Sequence, residues 1–400
     1  MGQPSVNPPV RPRGTRLAQL GRPVRLFAGL TALTVIAGLM FVPSFWPFVT
    51  RLDHWTADWR TAYLSHRPPT QNSRLAIVAI TDATLRNYTS SPIDRDLLAR
   101  LVEAIDKAGA SVIGLDILFL KQTDADKDER LIQAVKKARA KVVLGALDER
   151  GDLLPFQREF QFAYLARAGQ PTGYLNTRHE NDDVVRYTAS PAPGSIYPRS
   201  FASALAVAAG VVNADDAGKP IAWLMSAADG TPAFLSIDGE KLLDPALQKA
   251  NADQITALKG RTVLIGGVFP FRDRHRVPIT VRTGEMVPGV VIHATVIAGL
   301  IDPAHNIAEI APGTVRMMLA GLALAAMALG LALWRSVPVA FLGHGFAVGL
   351  LLAADAFCFT QLRLLLPFTL AVTAWVAGLT AGRLFGAFGA SDLIFGRKSS

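Results

Sequence analysis

Cysteine is nearly absent from this sequence. Cys358 stands alone in 400 residues, so no disulfide can form within the chain and any domain in an oxidising compartment must be held by packing. Charge is scarce as well: Asp, Glu, Lys and Arg make up 18% of the residues and hydrophobic types 50%, whereas a soluble domain carries about a quarter charged residues. Acidic residues are missing from the segment before the first apolar run, where Arg11, Arg13, Arg16, Arg22 and Arg25 supply over half of the net charge of +9. A basic cluster ahead of an apolar run orients a membrane span with its positive side in the cytoplasm. That placement argues against the nucleic-acid partner that a pI near 9.8 would otherwise suggest. Missing too are a Gly-x-Ser-x-Gly elbow, a His-Glu-x-x-His pair and a phosphate-binding glycine loop, and no cofactor or metal is expected.

What the chain does have is long apolar runs. The first, 26–49, is interrupted only by Pro43, Ser44 and Pro47 and ends among Phe41, Phe45, Trp46 and Phe48. About 20 residues cross the hydrocarbon, and aromatic residues favour its boundary, so this run reads as an uncleaved signal anchor after a cytoplasmic segment 1–25. Three further spans are expected at 314–333, 337–358 and 364–385, joined by loops short enough to force antiparallel hairpins. Counting from a cytoplasmic N-terminus, residues 51–311 then lie outside the inner membrane, and the tail 386–400 returns to the cytoplasm. Ala374, Gly378, Gly382, Gly386 and Ala390 recur every fourth residue. Small residues so spaced allow close backbone approach, either within the chain's own bundle or in a homo-oligomer through the fourth span. His344 and Asp355 share a face of the third span, Asp355 near its outer end.

The segment between the first and second spans has the pattern of a folded domain. Leu52, Trp55, Trp59 and Tyr63 at helical spacing predict a juxtamembrane helix over 51–65. Continuous apolar runs at 74–80, 112–118, 141–147 and 261–267 predict strands buried on both faces. Helices are expected to open at Ser91-Pro92 and over 130–138, 201–209 and 290–300, with a less regular stretch at 150–255. Strand and helix in alternation imply an α/β domain with a mostly parallel sheet, whose ligands bind beyond the carboxyl ends of the strands. Asp82, Asp116, Asp148, Asp273 and His275 fall at or after such ends. The same side chains could serve instead to cap helices and bond loop backbone.

Several of these stretches resemble a known family, the second type of CHASE domain, the cyclase/histidine-kinase-associated sensory extracellular domain. The resemblance covers about 51–302. It rests on Asp58-Trp59-Arg60, the run Ile77 to Asp82, the run Ala108 to Phe119 and Asp183-Val184-Val185-Arg186. It continues through Leu258 to Gly267, Asp273, Pro278 and Pro288 to Ala294. It implies a periplasmic sensor that feeds a cytoplasmic output, commonly a cyclase or kinase, through the last spans. Asp82, Asp116, Arg186, Asp273 and His293 match motif positions, for which a structural role is as open as a binding one, and the candidate ligand-binding residues are Asp82, Asp116, Arg186, Asp273 and His275. After the fourth span only Gly386 to Ser400 remain, too few for a folded output, so a separate protein partner is expected to carry it. Two other readings stand beside the sensor: an assembly component of an envelope complex, and a periplasmic hydrolase using Asp82, Asp116 and Asp273.

Overall fold

The computed structural model describes residues 47–88 and 91–387. The expected basic segment 1–25, the span 26–49 up to residue 46 and the tail beyond 387 lie outside the described residues. The chain divides into two units, one holding residues 58–309 with 359–364 and the other the apolar helices.

The larger unit is an α/β fold whose sheet, among the described residues, has six strands with every pairing parallel. These are β1 (Leu75–Ile80), β2 (Val112–Asp116), β3 (Lys141–Ala146), β4 (Thr172–Tyr174), β5 (Leu235–Asp238) and β6 (Thr262–Gly267), in the order β4-β3-β2-β6-β1-β5. β1 and β6 are buried at every position, as a sheet covered on both faces requires. Side-chain alternation divides the core. Ala76, Val78 and Ile80 pack with Leu97, Leu101, Leu131 and Ile132, while Leu75 and Ile77 on the other face meet Phe201, Leu205, Val290 and Ile297. Helices α2 (Arg95–Lys107) and α3 (Ala125–Lys137) cover the first face; α5 (Phe201–Ala208) and α6 (Gly289–Ile301) cover the second.

Several boundaries differ from the expectation. Ser91-Pro92 does not open α2: Asp94 caps it, accepting from the N–H groups of Asp96 and Leu97, and the helix starts at Arg95. α3 begins at Ala125, because Asp124 caps it in the same way. The stretch 150–255 contains α4 (Pro155–Ala168), β4, α5, β5 and three short helices between Gly239 and Thr256. The juxtamembrane helix α1 runs from Pro47 to Leu64.

In the other unit α7 (Pro312–Ala332), α8 (Val337–Phe357) and α9 (Phe368–Ala387) are each long and apolar enough to cross a bilayer. α9 starts later than the 364–385 run suggested, since Pro367 precedes its first turn. Gly378 and Gly382 lie against the backbone of α7 at Ala323 and Met327, and Gly386 lies against Trp334. Gly378 and Gly382 of the small-residue stripe are thus packed on this chain's own α7, and Ala390 lies outside the described residues. Residues of α1 belonging to this unit touch the start of α9: Asp53 Oδ1 accepts from the Thr369 N–H at 2.9 Å, and the hydroxyls of Thr56 and Thr369 are 3.0 Å apart.

Candidate ligand-binding edge

The carboxyl ends of β1, β2, β3 and β6 carry the residues that the sequence singled out, and the fold gives them different fates. Asp148 beyond β3 is fully buried and forked by Arg150, whose Nε lies 3.1 and 3.0 Å from its two oxygens. Its charge is spent on its own loop. Asp82 beyond β1 is exposed. Asp116, Asp273, His275 and His293 gather at the junction of β2, β6 and α6.

Glycines make room for that cluster. A side-chain carbon at Gly266 of β6 would lie 3.2 Å from Asp116 Oδ2, and one at Gly289, the first residue of α6, 2.8 Å from Asp273 Oδ2. The two carboxylates therefore flank the place where β6 packs on the start of α6. Asp116 Oδ2 is buried without a hydrogen-bond partner. Burial, and then the neighbouring charge of Asp273, push the Asp116 carboxyl well above the usual carboxylate range. Asp273 behaves oppositely. Burial works against its charge, but the hydrogen bond from His275, the nearby His275 and His293 rings and the Gly289 backbone bring it below the usual range. Asp273 sits at φ +52°, in the left-handed region that Asp tolerates better than most residues. His293, inside α6 and edge-on to Phe201 at 5.4 Å, is pulled down to about 4 by burial, with Asp273 opposing and His275 adding to the fall. A cavity of about 20 Å³ beside it, bordered by Tyr174, Thr188, Ser200 and Asp216, has room for about one water.

Arg186 lies elsewhere, in a turn over residues 178–187 closed by the Arg178–Tyr187 bridge. Its Nε and Nη2 fork Asp58 of α1 at 2.8 and 2.7 Å, while its Nη1 reaches Glu180 at 3.0 Å and Asp182 at 2.8 Å. Burial weakens the guanidinium's hold on its proton, but the hydrogen bonds it donates to Asp182 and Asp58 more than offset that and raise its pKa. Next along the chain, the Tyr187 hydroxyl donates to Glu309 at 2.6 Å. The turn therefore holds residues from both ends of the unit, Asp58 near its start and Glu309 near its end.

The turn also touches the strand-end cluster. Val184 bridges Arg276, and the Val185 N–H donates to the Arg276 carbonyl at 2.8 Å. The His179 and His275 rings lie 5.2 Å apart, tilted by 47°, and each holds a carboxylate: His179 with Asp183 at 2.8 Å, His275 with Asp273 at 3.1 Å. Sequence reasoning named Asp116, Arg186, Asp273 and His275 but missed Asp58, His179 and Asp183 as members of the same assembly. The signal available was the i, i+4 spacing of His179 and Asp183 and the acidic turn before Arg186. Among the described residues no group of three or more His, Cys, Asp or Glu side chains is arranged to hold a metal ion.

Comparison with known proteins agrees with the architecture. The family model of the CHASE2 domain matches residues 31–333, well over half of the chain. No curated protein and no solved structure matches the chain.

Proposed function

The chain belongs to the CHASE2 domain family of extracellular sensory domains, and on that premise we propose that it is a transmembrane receptor subunit whose sensory unit reports through a protein partner. In this reading the sensory unit, about 51–311, faces the periplasm, both termini are cytoplasmic, and the strand-end edge of Asp116, Asp273, His275 and His293 receives the stimulus. The observation that carries the proposal is the Arg186 fork on Asp58. It joins the turn beside the strand ends to α1, and α1 holds the first residues of α9 through Asp53 and Thr369. α1 is a single helix that runs from the sensory unit into the apolar unit, which would give a displacement of the turn a covalent route toward the membrane. Sensing needs such a two-state joint, since a stimulus shifts an equilibrium only by its differential affinity for the two states.

Two measurements test this. A cysteine at Asn181, in a Cys358→Ser background, should be labelled by an impermeant thiol reagent in cells with a permeabilised outer membrane. Protection until the inner membrane is opened would overturn the topology. The intact chain purified from its native membrane should bring down a protein with a kinase, cyclase or other signalling domain, and Arg186→Ala should change its recovery severalfold. A single structural partner, recovered equally with both forms and under all growth conditions, would instead support an envelope scaffold and end the sensor reading.

A further inference from the structure

We propose that the strand-end cluster is a proton-binding site in which Asp116 carries the proton and the 178–187 turn stays docked only while it does. This rests on the sensor reading above and supplies its stimulus. Four geometric facts support it. Asp116 Oδ2 is buried with no donor, so a charge placed on it would be paid for by no hydrogen bond. Asp273 stands across the first turn of α6, with both carboxylates pressed to positions where only glycine fits. Asp273 holds His275, whose ring lies beside that of His179 on the turn. That turn carries the ties to Asp58 and Glu309.

When Asp116 gives up its proton, two like charges face each other at the head of α6. Asp116 is fixed at the end of a central strand. Asp273, with its side chain 49% exposed and its backbone in a loop, is the one able to move. His275 is bonded to it, so the His275–His179 pair opens with the same movement. The other groups around Asp116 do not relieve the pair. His293 of α6 stays neutral through most of the acid range because of its burial, and Asp148 beyond β3 is matched by Arg150. Arg274 is committed to the carbonyls of Phe269 and Met286, and Asp82 beyond β1 is a third acid rather than a counter-ion. On the turn, Arg178 and Glu180 pair with each other, and Asp183 holds His179. The elevated proton affinity of Asp116, set by burial and then by Asp273, agrees with this arrangement.

The test uses the full chain with Cys358→Ser in lipid nanodiscs, a nitroxide at position 181 and continuous-wave EPR from pH 5 to 9. The immobilised spectrum at low pH should give way to a mobile one in a single transition. Asp116→Asn, which keeps the shape and cannot ionise, should hold the immobilised spectrum at every pH. Asp273→Asn removes the facing charge that drives the opening, so it too should hold the immobilised spectrum through the parent's transition. This second variant decides the matter if Asp116→Asn does not fold. A flat titration of the parent, or a transition that persists in Asp116→Asn or in Asp273→Asn, overturns the proton site. Any of these, found with Asn181 accessible and a signalling partner recovered, would leave the sensor reading standing with another stimulus.

Discussion

Two buried arginines, one in each half of the sensory unit, show how differently the same side chain can be used. Arg95 at the start of α2 is wholly buried, 3.3 Å from Asp128 of α3, with its guanidinium 4.7 Å from the Phe119 ring and 5.9 Å from that of Tyr164. One carboxylate balances one cation, and burial lowers its proton affinity in spite of Asp128. Arg186 is met by three carboxylates, Asp58, Glu180 and Asp182. Arg95 joins neighbouring helices within one layer. Arg186 joins positions 128 residues apart. The first arrangement suits a fixture of the core, and the second suits a joint that releases when its charge balance changes.

The widest separation between the two should come from removing each charge. Arg186→Ala takes the guanidinium away from the buried Asp58 carboxylate, and breaking a buried pair in this way costs about 3–5 kcal/mol. For a unit of this size that is a fall in Tm of roughly 10 °C. Replacing both members of the other pair, Arg95→Met with Asp128→Asn, should change stability by less than about 1 kcal/mol, because a buried ion pair exchanged for shape-matched neutral groups is close to neutral. Thermal unfolding of the intact chain in detergent at neutral pH measures both. Equal losses would mean that Arg186 is a core fixture as well, and the joint would have to be sought elsewhere.

A second contrast is set by His293, the neutral member of the strand-end cluster. Burial holds its folded pKa at about 4, below the ordinary histidine value of 6.5, so between those values the unfolded chain binds a proton that the folded one refuses. Stability therefore falls as pH drops from 6.5 towards 4, by about 3 kcal/mol if the whole difference is expressed. His293→Gln should flatten this acid limb and leave stability near pH 8 little changed. A thermal melt series over pH 4–8 reads the slope directly, and an unaltered acid limb in the variant would show that His293 takes its proton without unfolding.

How much of this was legible in the sequence follows from the physics of each element. The central strands stood out because burial on both faces leaves unbroken apolar runs such as Leu75–Ile80 and Thr262–Gly267. The stretch 150–255 looked irregular for the opposite reason. α4 places Phe156, Phe160, Phe162, Tyr164 and Leu165 around its circumference, with Phe156 and Phe162 exposed, so no stripe marks it as a helix. β4 and β5 are only three and four residues long. At the site, strand-end logic placed Asp116 and Asp273 on one edge, where the fold brings them close together, yet it treated Asp148 as their equal, although Arg150 two residues on pairs with it. The ties of the turn were hidden by distance. Glu180-Asn181-Asp182-Asp183 reads as a solvated loop until Asp58 arrives from α1 to share Arg186.

The smallest predicted effect is the one that tells whether the turn holds both ends of the unit with equal force. Tyr187→Phe removes a single hydroxyl whose partner, Glu309, remains exposed to water after the loss. A carboxylate that can rehydrate pays little, so stability should drop by about 1 kcal/mol or less. The local consequence is sharper than the global one. Glu309 follows Ala308, whose N–H donates to the Arg363 carbonyl at 2.8 Å, and slackening Glu309 should speed hydrogen exchange at Ala308 while the amides of β1 and β6 keep their protection. Arg186→Ala should do the reverse, loosening residues 58–64 of α1 ahead of Ala308. If both variants loosen the same amides to the same degree, the turn is a single clamp and not two separable ties, and the distinct roles assigned to Asp58 and Glu309 collapse into one.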